Sequence, residues 1–114
     1  MGQDSRRTHP RVATNIEATL RLPDGRTATA GQILNISLGG VFIEMEQPLS
    51  FGAELDIEFA VPGAHVKCKG LVVWSTKSAP HMGHGREGIG VRLMNIGVRE
   101  MRSLASYIQE RLET

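Results

Sequence analysis

The chain has 114 residues, a formal net charge of +1 and 40% hydrophobic residues, which describes one domain able to bury a single modest core without metals or disulfides. Its single cysteine excludes an internal disulfide, and no apolar run approaches the ~20 residues of a membrane helix. Aromatic residues, at 4%, are too sparse for the interleaved stacking surface of a single-strand nucleic-acid binder.

Residues 1–11 read as a basic arm. Arg6-Arg7-Thr8-His9-Pro10-Arg11 carries three arginines, opposed in this stretch only by Asp4. A segment so polar is expected to be flexible. It lacks the apolar region of a secretory signal, so a cytoplasmic location is expected. It is either a solvated tail or one half of a binding site.

Residues 12–114 carry the folded domain. Ile16, Ala18, Leu20 and Leu22 alternate with Glu17, Thr19 and Arg21, the period of a half-buried strand. Pro23-Asp24-Gly25-Arg26 has turn chemistry, and Thr27 to Leu34 returns as a second strand, completing a hairpin. Asn35-Ile36-Ser37-Leu38-Gly39-Gly40 then makes a tight corner. Beyond it Val41, Ile43 and Met45 alternate with Phe42, Glu44 and Glu46.

A fourth strand alternates Glu54, Asp56 and Glu58 with Leu55, Ile57 and Phe59. Between Glu44 and Glu58 there are five acids and no Lys or Arg, which is either a solvated sheet face or a docking surface for a basic partner. After Pro62-Gly63, a long strand puts Val66, Cys68, Gly70, Val72 and Trp74 on one face. Residues 77–87 form a polar loop, and Gly88 to Met94 a last strand. Val98, Met101, Leu104, Ala105, Ile108 and Leu112 recur at helical spacing, predicting an amphipathic helix over about 97–112. The fold class is therefore mainly β: a small six-stranded antiparallel β-barrel, closed because closure removes open edges, with a C-terminal α-helix and a flexible N-terminal arm.

Catalytic and metal chemistry find little support. Cys68 is flanked on its strand by Lys67 and Lys69, which point to the other face, so it reads as a small buried hydrophobe. His81 and His84 lie in a Gly-containing loop without a third ligand, and no metal site is expected. Gly88-Ile89-Gly90 opens a strand rather than a helix, unlike a nucleotide-binding loop. No nucleophile, base and orienter are brought together, so no enzyme is expected.

Recognition chemistry concentrates in the arm and the corner. Arg7 and Arg11 stand four apart, and a guanidinium fork grips phosphate or a guanine edge. Asn35 both donates to and accepts from a base edge, Ser37 adds a hydroxyl, and Gly40 permits close approach of a ligand to the backbone. A charge-dense, guanine-containing small molecule suits both parts.

Arg7-Thr8-His9-Pro10-Arg11 matches the motif R-x-x-x-R, and Asn35-Ile36-Ser37-Leu38-Gly39-Gly40 matches [DN]-x-S-x-x-G. This ordered pair resembles the PilZ domain family, and Val72-Val73-Trp74 and Gly88–Leu93 resemble its later strands. Leu93 stands where many members carry Phe. The resemblance implies a receptor for cyclic di-GMP. Arg7 and Arg11 would hold guanine and phosphate, Arg6 would add a phosphate contact, and Asn35, Ser37 and Gly40 would receive a guanine. Trp74 would lie beside the ligand or in the core.

The expectation is a non-enzymatic sensor, needing no cofactor besides its ligand. It would be a monomer or weak homodimer without membrane insertion or a nucleic-acid polymer partner. Its arm orders over the ligand and the signal passes to an unidentified downstream protein in trans. The rival is a ligand-independent adaptor of the same family that uses the acidic strand face.

Overall fold

Period-two alternation becomes six antiparallel strands in the computed structural model, which describes residues 10–113. They are β1 (Val12–Arg21), β2 (Ala28–Ile36), β3 (Gly40–Glu44), β4 (Glu54–Val61), β5 (Ala64–Ser75) and β6 (Gly88–Met94). Val98–Leu112 forms the helix α1, and the loop before β6 contains one 3₁₀ turn, Pro80–Gly83. The strands close into a barrel in the order β1-β2-β3-β6-β5-β4. Arg6 and Arg7, and with them most of the expected arm, lie outside the described residues.

The barrel interior is aliphatic. Leu20, Ile33, Ile36, Ile43, Val66, Val72 and Ile89 are fully buried, and facing residues meet in register: Leu20 with Ile57, Ile33 with Ile43, Val72 with Val91. α1 packs on β5, β1 and β4 and adds Leu104 and Ile108 to the same core. Val98 and Leu112, read from sequence as part of the apolar stripe, lie outside it at 73% and 45% exposed. The stripe is confined to the middle of the helix, where the barrel lies beneath it. The C-terminal half of α1 is fastened to β1: the Tyr107 hydroxyl hydrogen-bonds Thr14 Oγ1, and Arg111 Nε in the last turn donates to Ala13 O at 2.8 Å.

Three bulges interrupt the ladders, at Ala13/Ile16, Ile33/Asn35 and Val72/Trp74. Each changes which side chains point inward, because an extra residue reverses the alternation beyond it. Two expectations are corrected as a result. β2 does not end at Leu34; it continues through Asn35 and Ile36, and the corner is only Ser37–Gly39. Trp74 does not share a face with Val66, Cys68, Gly70 and Val72. Val73 is the extra residue, and Trp74 is turned outward opposite Gly90.

Candidate functional site

The site is built by the bulge in β2. Ile33 and Ile36 are both fully buried although three residues apart. The extra residue, Leu34, lets both enter the core while Asn35 between them faces out. There Asn35 Oδ1 accepts from Arg11 Nη1 at 2.6 Å. The root of the arm is thus tied to the strand that leads into the corner.

Ser37 fixes the corner itself. Its hydroxyl oxygen accepts from the backbone N–H of Gly39 (3.2 Å) and Gly40 (3.1 Å), and Ser37 N–H donates to Gly40 O at 2.8 Å. The hydroxyl points back toward Gly40 O at 3.3 Å, and the residue is only 3% exposed. Ser37 is consumed by the turn, as short hydroxyl side chains often are. Gly40 is required for a reason the sequence did not suggest: a Cβ there would meet Val91 O at 2.6 Å, because β3 lies close against β6.

Beside the corner lies a shallow pocket of about 570 Å³. Its lining includes Arg11, Ser37–Val41, Trp74 and Arg92, with two guanidinium groups and no carboxylate. Trp74 stacks on Phe42, ring centroids 5.4 Å apart and planes 10° from parallel. The pair sits on the outer surface of the barrel over two glycines. A Cβ at Gly88 would lie 2.8 Å from the Phe42 ring, and one at Gly90 would lie 2.0 Å from Trp74 Nε1. Gly88-Ile89-Gly90 is therefore the floor on which two rings lie, with Ile89 between them pointing inward and fully buried. Sequence reasoning excluded a nucleotide loop here and missed this role.

It also passed over Arg92. This residue is opposite Gly40 on β6, is exposed, and its side chain makes no hydrogen bond or ion pair among the described residues. The signal was available: Arg92 alternates with the inward Val91 and follows the glycine pair. Only the strand pairing shows that it reaches the corner.

Chemically, the pocket offers an anion two cationic forks and offers a planar ring system one aromatic face. Indole and guanidinium both stack on nucleobases. Burial pushes the Cys68 thiol up to about 11, with Asp56 adding to the effect, so it is a protonated core residue at neutral pH. Among the described residues no three His, Cys, Asp or Glu are grouped to hold a metal ion, and no helix is long and apolar enough to cross a membrane.

The acid run between Glu44 and Glu58 is partly matched from neighbouring segments. Asp56 meets Lys69 Nζ at 2.8 Å, Glu58 meets His65 Nε2 at 2.5 Å, and Glu44 meets Arg86 at 2.9 Å. The hydrogen bond and charge of Asp56 raise the pKa of Lys69. A run that looks uniformly acidic along the chain becomes mixed-sign across the sheet.

Comparison with known proteins agrees with this architecture. The PilZ domain family model matches residues 5–110, and the chain belongs to that family. Among solved structures it is similar to the inhibitor of motility MotI/DgrA of Bacillus subtilis, with 18% identity and a TM-score of 0.74, covering 96% of this chain and 53% of the other. The chain thus spans about half the length of that protein. It is similar to the PilZ domain of YcgR from Escherichia coli, a structure with c-di-GMP, at 17% identity and TM-score 0.66, covering 96% of each chain. It is also similar to the PilZ domain of CeSA from a cellulose-synthesizing bacterium, at 20% identity and TM-score 0.62, covering 92% of this chain and 99% of that one. No curated protein matches the sequence.

Proposed function

We propose that this PilZ domain is a cyclic di-GMP receptor that passes the signal to another protein and carries out no chemistry of its own. One observation supports the reading most: Arg11, Asn35, Trp74 and Arg92, from four strands or their flanks, converge on the Ser37–Gly40 corner around a pocket with no carboxylate in its lining. The ligand supplies what such a pocket lacks, two phosphates and two guanines.

In this reading Arg7 and Arg11 grip guanine and phosphate, and Arg6 adds a phosphate contact. Ordering the arm over the ligand costs roughly 1–2 kcal/mol per backbone residue fixed, and charge-assisted hydrogen bonds offset that cost. Arg11 starts from a favourable position, because Asn35 already holds it. Asn35 meets a guanine edge, and Gly40 keeps the corner low. Ser37 acts through the turn it builds, holding the corner in shape. Trp74, backed by Phe42, offers its free face to a base. The surface made of arm, ligand and barrel then engages the downstream protein.

Calorimetry with cyclic di-GMP tests the proposal. Wild-type protein is expected to bind at micromolar concentration or tighter. Arg11→Ala removes a charge-assisted contact of about 1.5–3 kcal/mol, so affinity falls roughly ten- to hundredfold. Trp74, the single tryptophan, reports the same event through its fluorescence. Absence of binding at hundreds of micromolar (about −5 kcal/mol) would overturn the sensor and leave the ligand-independent adaptor as the surviving reading.

A further inference from the structure

At the opposite end of β2 from the corner, the barrel wall is incomplete. β2 pairs along its whole length with β1, from Arg21–Ala28 to Val12–Ile36. On its other side β3 accompanies it only from Ile36 back to Gln32, where Glu44 ends the ladder. Met45 then turns to β6's approach, donating its N–H to Glu87 O at 2.9 Å, and Pro48 follows shortly after. Ala28–Gly31 therefore has a free edge, and no backbone hydrogen bond fills it among the described residues.

The phase of that edge follows from the hairpin. Leu22 N–H donates to Thr27 O, so the bonded and non-bonded pairs alternate from there. Ala28 and Ala30 point their N–H and C=O groups away from β1, toward the gap. Both are exposed. Their methyl side chains leave the edge unobstructed, without the charged or bulky residues that usually blunt an open strand.

The gap is the wall of a groove of about 930 Å³. Its inner side carries Leu22, Thr29 and Met45; its rim carries Glu44, Glu46 and Glu87 against one cation, Arg86, which is paired with Glu44. The groove thus has an unpaired backbone edge, an apolar inner side and an acidic rim. A second copy of this chain would bring the same acidic rim against itself, which like-charge repulsion opposes.

We propose that this edge receives an extended, basic segment of a partner protein by strand addition. The segment alternates apolar and cationic residues. Its backbone pairs with Ala28 and Ala30, its apolar side chains face Leu22 and Met45, and its Lys or Arg side chains face Glu46 and Glu87. Main-chain pairing supplies affinity and the alternating side chains supply selectivity, the division found in strand-addition complexes generally. The site shares β2 with the corner but none of the corner's residues, so it stands independently of the cyclic di-GMP reading.

The test uses the whole chain, isotope-labelled, and the blocked peptide acetyl-Val-Lys-Val-Lys-Val-Lys-Val-amide, with the Val-Glu analogue as control. Expected are amide shifts at Ala28–Gly31 and Met45–Gln47, and slowed hydrogen exchange at Ala28 and Ala30. Glu46→Lys, on an exposed bend, leaves the fold intact and weakens binding at least tenfold at low salt. Ala30→Pro removes one outward N–H at an edge position and abolishes the slowed exchange at Ala28. The proposal is overturned by no shifts at millimolar peptide, by equal binding of the Val-Glu peptide, or by undiminished binding to Glu46→Lys. Protection of Ala28 and Ala30 in the free protein together with a concentration-dependent dimer would assign the edge to a second copy and likewise overturn it.

Discussion

The two turns that flank β2 use the same device with different results. In the Asp24 turn, one carboxylate oxygen accepts from the N–H groups of Arg26 and Thr27, both at 2.8 Å. In the Ser37 turn, one hydroxyl accepts from Gly39 and Gly40. The first faces water on all sides and only reverses the chain. The second is buried, lies against β6, and sits between Arg11, Trp74 and Arg92. The candidate binding corner is therefore not a special kind of turn. It is an ordinary turn placed by bulges where cations and a ring converge.

Five substitutions sharpen or break that contrast. Ser37→Ala should be the most damaging, because two amides lose their acceptor in a buried place, at about 1–3 kcal/mol for each unsatisfied group. A fall in the urea midpoint with an unchanged slope would show it. Gly40→Ala follows, because its methyl would enter the space of Val91 O, and overpacking of this kind costs roughly 1–3 kcal/mol. Its counterpart Gly25→Ala meets nothing within 4 Å but must hold φ near +76°, a cost of about 1–2 kcal/mol. No loss at Gly40→Ala would mean that crowding at the corner is unimportant.

Gly90→Ala acts on the pocket rather than the turn. The new methyl displaces the Trp74 ring, which forfeits about 0.5–1.5 kcal/mol of stacking. It should shift tryptophan emission to the red and weaken cyclic di-GMP binding. Unchanged emission would contradict the position of the ring.

The smallest effect belongs to Asp24. The Thr27 hydroxyl, then the Thr27 and Arg26 amides, hold its carboxyl below the ordinary 3.8. The folded state thus favours the charged form, and the contribution is present above the unfolded value and lost as pH falls below 3.8 through the folded one. Asp24→Asn should flatten the acid limb of the stability profile slightly and leave ligand binding unchanged. The Asp24 turn would gain a role in binding if affinity fell.

Much of the fold could be read from one strand at a time. The alternation around Leu20, Ile57 and Val91 and the spacing of Leu104 and Ile108 define strands and helix locally, because burial imposes a period on each segment. What could not be read depends on two strands together. A bulge at Leu34 or Val73 is a mismatch between partners, so neither strand's own pattern announces it. Gly90 matters because Trp74 lies across it, and Gly88 because the Ile43 carbonyl of β3 and the Phe42 ring lie against it. The acids of β4 look unopposed until Lys69 and His65 arrive from β5. Of the candidate site, the motif residues Arg11, Asn35, Ser37 and Gly40 were legible as a pair of stretches, whereas Arg92 and the aromatic stack were not.

The tie between Arg111 and Ala13 sets where the ends of the domain emerge. Ala13 pairs with Asn35 and lies two residues from Arg11, so the last turn of α1 finishes beside the root of the arm. Any chain appended after the helix starts from there. A short flexible tether at that point would hold its cargo at millimolar effective concentration around the pocket (order of magnitude from linker behaviour). On the proposed function, a fluorophore or reporter domain fused there would be crowded or released as the pocket fills.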